Sequence, residues 1–174
     1  MKPRRTQMTR RRMRPYLGTF IEITIQVPMD FNTTEVKTLF TESFSEIEKV
    51  QTEMSFHDPY SLLNKVNQSP FCWIEVSDHL YDLLQKGWNL QMQSNGLFHL
   101  TSAHKLQVLG ILPTHKNQFT DTNSQALTEY PPLLSFRKEV FTTRSTRYLV
   151  KLNRAVRLCV DGIAKGYAVD LAVR

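Results

Sequence analysis

The sequence predicts an α+β fold, because long helical and strand patterns alternate without the strict strand–helix–strand rhythm of a parallel sheet. Gly18 to Val27, "GTFIEITIQV", sets Phe20, Glu22, Thr24 and Gln26 against Ile21, Ile23, Ile25 and Val27, a period of two. "NTTEVKTLFTESFSEIEKVQTEM" follows at helical period. Near the end, Val156 to Val160 has strand composition and runs into a small-residue helical stretch carrying Ala164, Ala168 and Ala172.

Taken in order, the chain opens with Lys2, Arg4, Arg5, Arg10, Arg11, Arg12 and Arg14, without which the net charge of +6 vanishes and the remaining chain is close to neutral. A basic run of this kind, interrupted by Gln and Thr, predicts a disordered arm over residues 1–14. Residues 15–174 are expected to form one domain, in keeping with the ~100–200 residues of a typical domain. The strand at Gly18–Val27 is half-buried. In the helix after it, Val36, Leu39, Phe40, Phe44, Ile47, Val50 and Met54 form one stripe. Asn32, with Glu35 three residues on, has the spacing of a capping box.

Asp58-Pro59 ends that pattern. "SLLNKVNQ" predicts a short helix or turn, and Phe71 to Val76 a strand. Ser77 caps a second helix whose Leu80, Leu84 and Trp88 share a face flanked by Leu83 and Leu90. Asn95-Gly96 ends it in the left-handed conformation. From Leu97 to Pro113 no period stands out, and "NQFTDTNSQALTEYPP" predicts a loop with at most one helical turn. "YLVKL", Asn153-Arg154 and "AVRLCV" predict a hairpin leading into "DGIAKG".

No apolar run reaches the ~18 residues of a membrane span. The start also lacks the apolar core and cleavage site of a signal peptide, which predicts a cytoplasmic protein if Met1 is the true start. Cys72 and Cys159 are far apart and predict two reduced, largely buried thiols. The basic arm can touch nucleic acid or anionic lipid. No interleaved basic and aromatic stripe continues into the body, so no nucleic-acid partner is expected.

The stretch with chemical potential is "CVDGIAKGYAVD", Cys159 to Asp170. A strand that enters a helix through Gly162 leaves free N–H groups and a positive dipole end there, which suits phosphate oxygens. Lys165 adds a mobile charge, and Gly166 permits close backbone approach. The residues fit equally a glycine-hinged turn into a helix that packs on a sheet; a Walker loop is absent. His57 beside Asp58 reads as an acid–base pair or as a solvated helix terminus. His99 and His104 lack zinc-helix spacing, and Ser55, Ser61 and Ser102 lack a nucleophile elbow. No catalytic residue is assigned.

"RPYLGTFIEI", "MSFHDPYSLLNKVN", "VSDHLYDLLQKGWNLQMQSNGLF", "LGILP" and "VDGIAKGYAVD" occur in the order and spacing of the ApbE-type flavin transferases, and the chain resembles that family from about Arg14 to Arg174. The resemblance implies a mixed or antiparallel sheet with packed helices. It also implies an FAD:protein FMN transferase that uses Mg²⁺, moves FMN to a Thr or Ser hydroxyl of a target protein and releases AMP. By the same resemblance Leu17, His57, Leu97, Phe98, His99, Cys159 and Lys165 contact the flavin nucleotide, and the Gly162 carbonyl meets the metal. Three departures stand out. Cys159 occupies a slot that usually holds Asp, Asp161 stands where a smaller residue is usual, and His99 replaces the Asp of "GLFD". The remaining metal ligands of the family lie beyond the matched part, so the chain is expected to be a front portion with reduced or lost transfer activity. The alternatives are a noncatalytic flavin- or nucleotide-binding half-site module, and a nucleic-acid or membrane-surface binder driven by the basic arm. Relatives of this kind are often anchored outside the cytoplasm.

Overall fold

Strand β1, Gln7–Tyr16, occupies most of the stretch whose basic residues predict a disordered arm. It pairs antiparallel with β2, Thr19–Pro28, through all ten positions, from Gln7 opposite Pro28 to Tyr16 opposite Thr19. Arg10, Arg12 and Arg14 lie opposite Ile25, Ile23 and Ile21, so the arginines share a face with the isoleucines. Helix α1, Thr33–Met54, meets that face. Arg12 lies over the Phe40 ring at 4.9 Å from its centroid, and Arg14 over Phe44 at 4.7 Å. A run of arginines reads as a solvated tail because charge dominates the count. Their stems and planar guanidinium groups nevertheless cover aromatic faces well.

The chain is known from a computed structural model, which describes residues 7–115, 132–142 and 145–174. These divide into two compact units. The first holds the described residues up to Gln51 together with Gly166–Arg174, and the second Thr52–Lys165. Because the first takes residues from both ends of the chain, no linker composition marks the division.

In the first unit α1 buries Val36, Phe40, Phe44, Ile47 and Val50, and Leu39 turns outward. Asn32 Oδ1 accepts the Thr34 N–H at 2.8 Å, so Asn32 caps the helix through Thr34 and not through the Glu35 N–H of a capping box. The hairpin turns through Leu17 and Gly18 with φ of 54° and 70°, the paired positive values of a type I′ turn. Glycine takes this conformation freely and leucine does not. The Leu17 N–H donates to Gln51 Oε1 at 2.8 Å. Replacing Leu17 with Asn, which tolerates positive φ, is expected to raise stability by about 0.5–1 kcal/mol. A urea titration checks this, and a lowered midpoint contradicts it.

In the second unit three strands form an antiparallel sheet in the order β3-β5-β4, with β3 Trp73–Val76, β4 Leu134–Thr142 and β5 Ser145–Leu152. The predicted hairpin between "YLVKL" and "AVRLCV" is therefore absent. The partners of β5 are β3 and β4, and Val156 to Val160 is extended but unpaired as a strand. Helix α2 spans Leu62–Gln68 and is capped by Ser61, whose side chain accepts the Asn64 N–H. Helix α3, Asp78–Gln93, is capped by Ser77 as expected and buries Leu80, Leu83, Leu84, Gly87 and Gln91. Its stripe thus runs through Gly87, with Trp88 only half-buried and Leu90 exposed. Asn95 and Gly96 both have positive φ at its end. Tyr81 meets Phe136 edge-on at 5.4 Å and Tyr148 at 5.0 Å, which fastens α3 to the sheet.

A short helix α4, Ala103–Val108, forms where no period is visible in the sequence. Helix α5, Asp161–Ala172, begins in the second unit and continues in the first. The loop expected over 117–132 lies almost wholly outside the described residues. The α+β class holds, with antiparallel sheets and packed helices. Among the described residues no helix is long and apolar enough to cross a membrane.

Candidate functional site

Three segments far apart in sequence converge in the second unit: 55–58, 97–100 and 157–165. Ser61 and Asn64 anchor the first. The Ser61 hydroxyl donates to the Ser55 carbonyl at 2.7 Å. The buried Asn64 amide donates to the carbonyls of Phe56 at 2.8 Å and Asp58 at 2.7 Å. This fixes the backbone on either side of His57, whose side chain points into solvent. The wholly buried Phe56 packs with Ala103, Leu112 and Cys159.

The segment 157–160 is held by side chains rather than by a strand ladder. Asn67 Oδ1 accepts the Leu158 N–H at 2.8 Å, and its amide donates to the Leu158 carbonyl at 3.0 Å. One asparagine thus imitates a neighbouring strand. The Cys159 N–H donates to the Leu100 carbonyl at 2.7 Å, which ties this segment to the loop after α3. Arg157 is buried and donates to Gln107.

Helix α5 starts immediately after these anchors. The N–H groups of Ile163 and Ala164 both donate to the Val160 carbonyl at 2.9 Å. Gly162 does not have positive φ and is not a hinge; it is the second residue of the helix. What it provides is proximity. A Cβ at Gly162 would stand 3.3 Å from Phe98 Cε2, and one at Gly87 would stand 2.7 Å from Leu100 Cδ2 and 3.0 Å from Ile163 Cδ1. Glycines at these two points let the 97–100 loop and the first turn of α5 close against each other and against α3. At Gly166 a Cβ would meet nothing within 4 Å, so no neighbouring strand requires that glycine.

The side chains at this junction differ in what they offer. Lys165 is exposed on the first turns of α5, where helix N–H groups and a cation together suit an anion. Phe98 is half-buried against Gly162, and Leu97 is 93% exposed. His99 Nδ1 is buried with no hydrogen-bond partner among the described residues, a condition that a polar ligand atom relieves. Leu17 belongs to the other unit. Phe56, Asn67, Leu100, Arg157 and His115, whose Nε2 lies 2.7 Å from the Phe56 carbonyl, are structural members of the site that the sequence does not single out. The only sequence trace of Asn67 is its spacing of three from Asn64 among apolar residues in "LLNKVN".

Cys159 is buried but Cys72 is exposed, against the expectation of two largely buried thiols. Burial pushes the Cys159 thiol up from 9.0 to about 12; the Asp161 N–H lowers it, the Asp161 carboxylate raises it further, and Lys165 lowers it. Cys159 is therefore a protonated packing group at neutral pH and not a nucleophile. The folded state keeps a proton that the unfolded thiol releases near 9.0. This contribution is intact below that pH and is lost as pH climbs toward 12. In the folded protein a thiol reagent at pH 8 is expected to modify Cys72 alone, with Cys159 reacting only after unfolding. Equal reaction rates at both contradict this.

Among the described residues no group of three or more His, Cys, Asp or Glu is placed to hold a metal ion. The Gly162 carbonyl lies within a helix, where carbonyls accept the N–H four residues on. Among the described residues the donor set does not by itself complete a Mg²⁺ site.

The ApbE family model matches residues 17–174. No curated protein matches the chain. Among solved structures it is similar to the apo form of the flavinyl transferase ApbE of Pseudomonas stutzeri, with a TM-score of 0.74 at 22% identity over 96% of this chain. The flavin transferase ApbE of Vibrio cholerae gives 0.72 at 21% over 97%, and the ApbE protein of Thermotoga maritima 0.69 at 23% over 95%. At these identities the likeness carries the fold alone. The chain spans about half the length of these relatives, 51–53%.

Proposed function

The chain belongs to the ApbE family, and we propose that it binds FAD as the substrate of FMN transfer to a hydroxyl of a target protein. In that reaction a Thr or Ser oxygen bonds to the FMN phosphorus. The bond from that phosphorus to the AMP phosphate oxygen breaks, the hydroxyl loses its proton and AMP departs. The observation that carries the reading is the junction of the first turn of α5 with the 97–100 loop. Gly162 lies against the Phe98 ring, the exposed Lys165 follows one turn later on α5, and a buried imidazole nitrogen at His99 lacks a partner among the described residues. These residues fit a dinucleotide. Lys165 and the Gly162 N–H, at the positive end of α5, would hold the pyrophosphate, and His99 Nδ1 would meet a polar atom of the nucleotide. Phe98 and the exposed Leu97 supply apolar surface for a ring.

The chain's own share of the chemistry is positioning and charge stabilisation on the phosphate oxygens. Cys159 adds no nucleophile, and the fixed 157–160 segment sets the angle at which α5 begins. The described residues hold no group of metal ligands for such a reaction, so FAD binding is the part tested directly. Calorimetric titration with FAD is expected to show saturable binding and a raised melting temperature. A flat titration with no thermal shift contradicts the reading.

A further inference from the structure

A second concavity, of about 120 Å³, lies in the first unit between β1 and the first turns of α1. Met8, Arg10, Arg11, Arg12, Thr33, Val36, Lys37 and Phe40 line it, and none of them is acidic. Nothing in the proposed FAD reading uses it. Arg10 and Arg12 are two apart on one strand face, so the pleat holds them about 7 Å from each other. Lys37 comes from α1. Arg11 reaches the carboxylate of Glu22 at 3.9 Å. Arg12 is steadied by its place over Phe40. The floor is apolar, with Val36 at 5% and Phe40 at 2% exposure. Like charges gathered over an apolar floor repel one another, and a bound anion turns that repulsion into attraction.

We propose that this groove binds the phosphate group of an organic phosphate. Arg10, Arg12 and Lys37 donate to its oxygens, with the Thr33 hydroxyl at the rim and the organic part directed out of the groove. Guanidinium groups suit the geometry of phosphate oxygens, and a volume of this size admits one phosphate group and not a large ring. A soluble phosphomonoester and an anionic lipid headgroup share this chemistry, and the experiment separates them.

The full chain is titrated with inorganic phosphate and with glycerol phosphate by NMR, and binding is read from the amide signals of Met8 to Arg12 and Thr33 to Phe40. In parallel it is floated with phosphatidylcholine vesicles that contain or lack phosphatidylglycerol. The double variant R10Q/K37Q changes two exposed side chains, and K165Q serves as the contrast. Binding weakened about tenfold or more in R10Q/K37Q and retained in K165Q supports the proposal. The ligand is then soluble if the small phosphates bind, and a lipid if only the phosphatidylglycerol vesicles do. No saturable binding in either arm overturns it, as does binding that survives R10Q/K37Q or is lost in K165Q. Circular dichroism of both variants confirms that each remains folded.

Discussion

Asn67→Leu is expected to destabilise the protein by about 2–5 kcal/mol and to weaken FAD binding by more than the loss of stability explains. The substitution keeps the branched heavy-atom skeleton but strands the N–H and carbonyl of Leu158, both now satisfied by one side chain at 2.8 and 3.0 Å. Each buried backbone group left without a partner costs about 1–3 kcal/mol. Leu158 is wholly buried, so water cannot take the amide's place. The effect on ligand binding follows from position. Leu158 and Cys159 lead directly into α5, and a loosened lead lets the helix start wander from Phe98. A denaturant titration measures the first effect and FAD calorimetry the second. A core truncation of similar cost elsewhere, Phe44→Ala at about 3–5 kcal/mol, serves as the comparison. If both variants lose affinity in equal proportion to stability, Asn67 has no special part in shaping the site.

The second large effect is expected at Lys165. Removing the ammonium with Lys165→Ala should weaken FAD by about 10- to 100-fold, the range of one lost charge-assisted hydrogen bond. Stability should change little, because the side chain is exposed and alanine is the better helix former. Lys165→Arg should recover part of the affinity. The loss should shrink in high salt, where the wild-type charge is itself screened. An unchanged affinity for Lys165→Ala removes the lysine from the phosphate site.

How much of this could be read beforehand depended on the range of the interactions. Helix α1 was legible because its stripe is local: Val36, Phe40, Phe44, Ile47 and Val50 recur at helical spacing whatever packs on them. The caps at Asn32 and Ser77 were legible for the same reason. β1 was not, since its register is set by β2 and its arginines are held by rings on α1. Charge composition says nothing of either. β4 was hidden because Arg137, Lys138 and Glu139 fall in succession and break the alternation on both faces. Within the site, the Gly162–Lys165 turn and the 97–99 loop were legible from the order of motifs along the chain. Their joining was not. The bonds from Asn67 to Leu158 span 91 residues, and nothing local in "LLNKVN" or "RLCV" announces them.

In the proposed complex the first turn of α5 holds the pyrophosphate of FAD. The most direct measurement is a crystal structure of the chain grown with FAD. Pyrophosphate oxygens are expected within hydrogen-bonding distance of the Gly162 N–H and of Lys165 Nζ, with His99 Nδ1 no longer unpartnered. A pyrophosphate bound elsewhere, with Lys165 still free in solvent, contradicts it.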